Sequence, residues 1–208
     1  MGETILIADD HPLFRQALAL AAQTVCPDAR IVESASLPSA LAAASTAERL
    51  ALILLDLKMP GAEGYSGVAL LHAEKPGVPI LVVSSAEAAQ AARDALRFGA
   101  VGFVSKGADL SEIEGAIRDA LAGRRMEAPR DEVIDPVAAQ IASLTPTQLK
   151  VLLGVMEGRL NKQIAYDLGI SEATVKAHMT AILKKLDVQN RTQAVLAAKA
   201  LGLSLAHG

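Results

Sequence analysis

Short apolar runs recur along residues 4–122, separated by stretches in which apolar positions fall three or four apart. The runs are Thr4–Ala8, Arg30–Glu33, Leu52–Leu55, Ile80–Ser84 and Gly102–Ser105. The first, third and fourth are apolar almost throughout, the pattern of strands covered on both faces. After the first run, Leu13, Phe14, Ala17, Leu18, Ala21, Ala22 and Val25 make a helical stripe. Pro12 stands at its start, where a missing N–H costs nothing. Leu37 to Ala47 is alanine-rich, and further stripes run through Ala91, Ala92, Ala95, Leu96 and Gly99 and through Leu110, Ile113, Ile117 and Leu121. This alternation predicts an α/β unit: a five-stranded parallel sheet, doubly wound, with helices on both faces. Ligands of such sheets bind beyond the carboxyl ends of the strands.

The rhythm breaks at residues 123–143, which carry mixed charges and Pro129 and Pro136. That composition predicts a linker, and the spacing of Val137, Ile141 and Leu144 predicts a short helix within it. Residues 144–208 then read as a small all-α unit. Thr145 caps a first helix with Pro146 at its first position and Leu149, Leu152, Leu153 and Met156 on its inner stripe. Asn161 is expected to cap a second helix, and Gly169-Ile170 to make a tight turn with glycine in the left-handed region. Ser171 caps a third helix, with Val175, Met179, Ile182, Leu183 and Leu186 inward and Lys176, Ala177, Thr180 and Lys184 outward. Thr192 to Leu201 predicts a fourth.

Hydrophobic residues make up 51% of the 208 positions, so the chain can bury a core. With aromatics at 2%, that core must be built from Ala, Leu, Val and Ile. No apolar run reaches the roughly 18 residues that span a bilayer. Met1 to Ile5 lacks a basic segment followed by an apolar stretch, so the expected location is the reducing cytoplasm. Cys26 is the single cysteine, which excludes an internal disulfide and a multi-cysteine zinc site. His11, His72, His178 and His207 show no ligand spacing, which argues against a structural zinc. Residues 1–144 hold 12 Lys+Arg against 19 Asp+Glu, a net of −7, whereas residues 145–208 hold 8 against 4, a net of +4. A basic unit joined to an acidic one points to a polyanion partner for the second alone.

The expected strand ends collect reactive groups. The first ends in Asp9-Asp10, the third in Asp56, the fourth in Ser84-Ser85 and the fifth in Lys106. Carboxylates gathered this closely resist joint ionisation unless a cation neutralises them, and Mg²⁺ suits an all-oxygen cluster with room for water and phosphate. Three acids, a hydroxyl and an ammonium make a phosphoryl-transfer site, with one carboxylate as nucleophile. Each acid alone reads equally well as a helix cap, Asp10 before His11-Pro12 above all. The coincidence of suitable residues at four strand ends favours the chemical reading.

These stretches resemble the receiver domain of bacterial two-component response regulators. The likeness lies in Ile5-Leu6-Ile7-Ala8-Asp9-Asp10-His11, in Leu54-Leu55-Asp56-Leu57-Lys58-Met59-Pro60-Gly61, in Val82-Val83-Ser84-Ser85 and in Gly102-Phe103-Val104-Ser105-Lys106. The resemblance implies a flavodoxin-like receiver domain over residues 1–122. It implies Asp56 as phosphoacceptor, Mg²⁺ held by Asp9, Asp10, Asp56 and the Lys58 backbone carbonyl, Ser84 and Lys106 on the phosphoryl oxygens, and Ser84 with Phe103 as the switch pair. The face made by Ala88–Phe98 and Gly102–Leu121 is the expected output surface.

A helix, a glycine turn and a helix with a small, basic outer face suit the major groove of DNA. Ala177 and Thr180 leave room near base edges, Lys176 can reach a guanine, and Lys184, Lys185 and Arg191 suit phosphates. Asn161-Lys162-Gln163-Ile164-Ala165, Ile170 to His178, Leu183-Lys184-Lys185-Leu186 and Asn190-Arg191-Thr192 resemble the LuxR-type helix-turn-helix domain joined to receivers in the NarL/FixJ family. The resemblance implies a cytoplasmic, non-enzymatic transcription regulator with at most weak self-dephosphorylation. Its partners would be a cognate histidine kinase, promoter double-stranded DNA, a second copy in an active homodimer and RNA polymerase, with no membrane. An unphosphorylated receiver would cover or misorient the third helix, or phosphorylation would instead relieve a block to dimerisation. The same architecture acting without phosphorylation is the alternative. An aspartate-nucleophile phosphatase would need an acid where Lys58 stands.

Overall fold

A computed structural model describes residues 2–62, 64–85, 88–126, 140–200 and 203. Its first unit runs β1 (Thr4–Ala8), α1 (Pro12–Val25), β2 (Arg30–Ser34), α2 (Leu37–Thr46), β3 (Leu50–Leu55), α3 (Ser66–Glu74), β4 (Ile80–Ser84), α4 (Ala88–Arg97), β5 (Gly102–Ser105) and α5 (Leu110–Leu121). All strands pair in parallel, in the order β2-β1-β3-β4-β5. Central strands β1 and β4 are buried along their whole length, whereas edge strand β2 alternates toward solvent.

Period-two alternation divides the core into two layers. Ile5, Ile7, Leu52, Leu54, Leu81 and Val83 face Leu18, Ala21 and Ala22 of α1 and Ile113 and Ile117 of α5. Leu6, Ala8, Ile53, Leu55, Ile80 and Val82 face α2, α3 and α4. Phe98 is fully buried and stacks on Tyr65 with ring centroids 5.7 Å apart.

Helix α3 was not predicted by periodicity. Ser66, Gly67, Val68, Ala69, Leu70, Leu71 and Ala73 are all buried, so no polar face interrupts the run. One side lies on the sheet. The other packs against the second unit, where Glu74 Oε2 approaches Lys150 Nζ to 4.0 Å. A helix covered on both sides has no amphipathic signature.

The second unit comprises α6 (Pro146–Met156), α7 (Asn161–Leu168), α8 (Glu172–Lys185) and α9 (Arg191–Ala200). Thr145 and Gln148 form a reciprocal capping box at the start of α6. Asn161 does not cap α7: it is the first helical residue, and Gln163 Oε1 accepts from the Leu160 N–H instead. Gly169, at φ +64°, ends α7, and Ser171 caps α8 through the Thr174 N–H. Ile141 and Leu144 are buried, while Val137 and most of the expected linker helix lie outside the described residues, as does Leu201. No described helix is long and apolar enough to cross a membrane.

Candidate functional site

The parallel ladder continues one residue past several strands, and this sets the site. Asp9 N donates to Ser34 O at 3.0 Å, Asp56 N to Ala8 O at 2.8 Å and Lys106 N to Ser84 O at 3.0 Å. Residues just beyond β1, β3 and β5 are thereby held in register at the carboxyl edge of the sheet. Lys106 Nζ lies 2.6 Å from Asp9 Oδ2 and 2.7 Å from Asp56 Oδ2. Both carboxylates are buried, at 0% and 3% exposure.

Burial works against the Lys106 charge, but hydrogen bonds and charge from Asp56 and Asp9 outweigh it, so its pKa is raised. The Lys106 ammonium also stands over the Phe14 ring, with Nζ 4.7 Å from the centroid. The remaining carboxylate oxygens meet backbone donors: Asp56 Oδ1 accepts from Lys58 N at 3.1 Å, and Asp9 Oδ1 from His11 N at 2.8 Å. Arg15 donates to the Asp9 carbonyl at 2.8 Å and pairs with Glu33 at 3.0 Å, anchoring the β1 end.

One ammonium faces two buried carboxylates, with Asp10 beside them, so the cluster retains negative charge. Donor atoms of Asp9, Asp10, His11 and Asp56 lie within 4.8 Å of one another. These residues could hold a metal ion. Ser84 is fully buried and its Oγ has no hydrogen-bond partner among the described residues, an unmet donor and acceptor on the residue whose carbonyl receives the Lys106 N–H. The donor set, oxygen-rich and anionic, suits a hard divalent cation. The structure thus gathers Asp9, Asp10, Asp56 and Lys106 as the sequence suggests, with Ser84 one ladder bond from Lys106. Phe103 is buried, at 4% exposure, on the α4 side of β5.

His11, Phe14 and Arg15 are additions from the structure. Asp10 is not the cap of α1; His11 holds that position, with no side-chain cap bond. Phe14 and Arg15 lie on α1 facing the sheet edge, and only the strand-helix connection brings them there.

On the second unit, Lys176, Ala177, Thr180 and Lys184 are exposed along one side of α8. Lys176 Nζ lies 3.3 Å from Glu172 Oε1, one turn earlier, and Thr180 Oγ1 donates to the Lys176 carbonyl at 3.1 Å. The first unit meets α6, so this side of α8 is uncovered by it. Two residues expected on phosphates have internal work. Lys185 Nζ donates to Ser143 O at 2.7 Å and to Gln148 Oε1 at 3.0 Å. Arg191 donates to Asn161 Oδ1 at 3.2 Å and to the Arg159 carbonyl. Sequence spacing alone could not reveal these ties, because the partners lie 30 or more residues away.

Comparison with known proteins agrees with both units. Residues 5–118 match the response regulator receiver domain, and residues 142–198 match the LuxR family of bacterial regulatory proteins. The chain is 41% identical over 207 residues to a glycerol metabolism activator of Pseudomonas putida, covering 93% of this chain and 94% of that one. It is 32% identical to the nitrate/nitrite response regulator NarL of Escherichia coli K12, covering 93% of each. Among solved structures, a LuxR-family two-component response regulator from Aurantimonas sp. SI85-9A1 superimposes with a TM-score of 0.54 at 27% identity, over 62% of this chain and 91% of that one. RcsB dimers bound to DNA share the fold, with a TM-score of 0.54 at 19% identity over 96% and 99%.

Proposed function

Because this chain belongs to the response regulators that join a receiver domain to a LuxR-family DNA-binding domain, we propose that it is switched by phosphorylation of Asp56. The supporting observation is the buried Asp9–Lys106–Asp56 bridge at the carboxyl edge of the sheet. A histidine kinase supplies the phosphoryl group. An Asp56 oxygen attacks phosphorus, the P–O bond forms, the P–N bond to the kinase histidine breaks, and the imidazole leaves with its electron pair. Asp9, Asp10, Asp56 and the Lys58 carbonyl would hold a divalent cation, Mg²⁺ by its preference for oxygen, and its charge would offset that of the phosphoryl oxygens.

Lys106 does the remaining electrostatic work. Its ammonium already touches Asp56 and moves with the acceptor to the new oxygens. Ser84 Oγ, which has no partner among the described residues, gains an acceptor. The product carries up to about two extra negative charges, which biases the packing around β4 and β5. Lys58 stands where a phosphatase would place a second acid, so we read the chain as a phosphoacceptor rather than a turnover enzyme.

The exposed side of α8 enters the major groove, with Lys176, Ala177 and Thr180 toward base edges and Lys184 toward a phosphate. One such helix reads few base pairs, so two copies bind paired half-sites. RNA polymerase is then recruited or blocked from that duplex. The test is affinity for a duplex enriched by selection on this protein, at fixed salt, with and without a beryllofluoride phosphoryl mimic. Tightening of ~5–150-fold is the expected range for a coupled switch. Equal affinities in the two states would overturn the proposal and favour regulation without phosphorylation.

A further inference from the structure

The histidine after the acid pair has the geometry of a ligand. His11 Nδ1 lies 2.6 Å from Asp10 Oδ1 and 3.3 Å from Asp9 Oδ1. Adjacent donors on an octahedral ion with bonds of about 2.1 Å are separated by about 3.0 Å, and opposite donors by about 4.2 Å. The two observed separations bracket the first value. A second cue to a ligand is independent of the acids: fully buried Ser84, one backbone bond from Lys106, has no partner for its Oγ among the described residues.

The backbone fixes the imidazole in place. Pro12 restricts His11 to extended conformations, and His11 sits at φ −88°, ψ 109°. Its own N–H donates to Asp9 Oδ1 at 2.8 Å, which turns the chain back over the carboxylates. The ring is 66% exposed, so it stands at the open edge of the pocket, where a ligand can still exchange with water.

We infer that His11 supplies a nitrogen ligand to the cation site, making it a site for divalent transition metals as well as for Mg²⁺. This rests on the proposed cation site and goes beyond it. Imidazole adds little for Mg²⁺, which prefers oxygen and keeps its waters. It adds much for Ni²⁺, Co²⁺ or Zn²⁺, whose affinity for mixed nitrogen and oxygen sites rises along the divalent series. The chain therefore holds such an ion more tightly than Mg²⁺ at the same carboxylates. A transition metal there competes for the pocket that the phosphoryl group needs.

The test compares the untagged full-length chain with His11→Gln and Asp9→Asn by calorimetric titration with Ni²⁺ and with Mg²⁺. Pulsed electron paramagnetic resonance on bound Mn²⁺ supplies a direct readout of nitrogen ligation. In His11→Gln, Ni²⁺ affinity is expected to fall at least ~10-fold, as for loss of one coordinating side chain, while Mg²⁺ affinity stays within ~3-fold. Nitrogen coupling to Mn²⁺ is expected in the parent chain and absent from His11→Gln. Asp9→Asn should lose both ions. Unchanged Ni²⁺ affinity in His11→Gln, or absent nitrogen coupling in the parent, overturns the role of His11 while leaving the carboxylate site standing. Failure of the parent chain to bind either ion overturns the site itself, and the inference with it.

Discussion

Lys106→Met isolates the ammonium that joins two buried acids. Methionine keeps an unbranched stem and removes the charge, its donors and the ammonium's contact with the Phe14 ring. Asp9 and Asp56, at 0% and 3% exposure, would then face each other without a cation. At an effective dielectric near 20, each contact at about 2.7 Å carries a gross attraction on the order of 6 kcal/mol. Most of that is offset by the cost of keeping the charges out of water. Deleting one partner of a buried pair nets about 3–5 kcal/mol of lost stability, because the orphaned charges remain buried. For a chain of this size, that corresponds to a drop of roughly 6–20 °C in Tm. The assay is urea unfolding followed by circular dichroism, with divalent ions chelated and then with Mg²⁺ restored. Mg²⁺ at about 100 times its Kd should return about 2.7 kcal/mol. The double variant Lys106→Met/Asp56→Asn should recover part of the loss, with a coupling of ~1–3 kcal/mol. A loss below about 0.5 kcal/mol for Lys106→Met in chelator would refute the reasoning, since the bridge would then carry no weight.

Four other substitutions probe the rest of the molecule. The His72 pKa lies below its ordinary value, first because the ring is buried and second because Arg125 is near. The unfolded chain therefore binds that proton more readily, and stability falls as pH drops from about 6.5 through the depressed value. His72→Gln should flatten the chain's stability between about pH 5 and 7, as read by urea midpoints; an unchanged slope counts against it. Gly99 has φ +106°, and a Cβ there would stand 2.6 Å from His72 Cγ, so Gly99→Ala should cost about 2–4 kcal/mol in thermal or urea unfolding. Arg191→Ala should lower the stability of the second unit by about 1–3 kcal/mol, because the Arg159 carbonyl and Asn161 lose a charged donor. Lys176→Ala should leave stability within about 0.5 kcal/mol and weaken specific DNA binding by about 1–3 kcal/mol. If the two variants behave alike in both assays, the division between internal tie and exposed reader is wrong.

Much of this was legible in the chain. β1, β4 and β5 fall on the apolar runs that announced them, and the reactive residues stand just beyond because the ladder extends one residue past the strand. The all-α second unit was equally visible, since Thr145, Gly169 and Ser171 mark helix ends with side chains that satisfy or release backbone groups. What escaped was set by tertiary contact. Helix α3 lost its polar face to α6, and periodicity cannot register a helix buried on two sides. Asn161 looks like a cap, yet Gln163 does the capping and frees Asn161 to accept from Arg191. Lys185 and Arg191 read as phosphate contacts by charge, and the internal hydrogen bonds each also makes, to partners far along the chain, gave no sign in the sequence. His11 carried no spacing signal, because its companions Asp9 and Asp10 are neighbours on the same turn and Asp56 is a crossover away.

Under the proposed function, the Asp56 carboxylate accepts a phosphoryl group with help from a divalent cation and Lys106. Intact-mass measurement after incubation with a small-molecule acyl phosphate tests it directly. With Mg²⁺ present, the chain should gain the mass of one phosphoryl group, in a bond that hydroxylamine cleaves as expected for an acyl phosphate. The gain should vanish with chelator and in Asp56→Asn. A phosphoryl adduct that survives Asp56→Asn, or no adduct in the parent chain with Mg²⁺ and donor in excess, would contradict it.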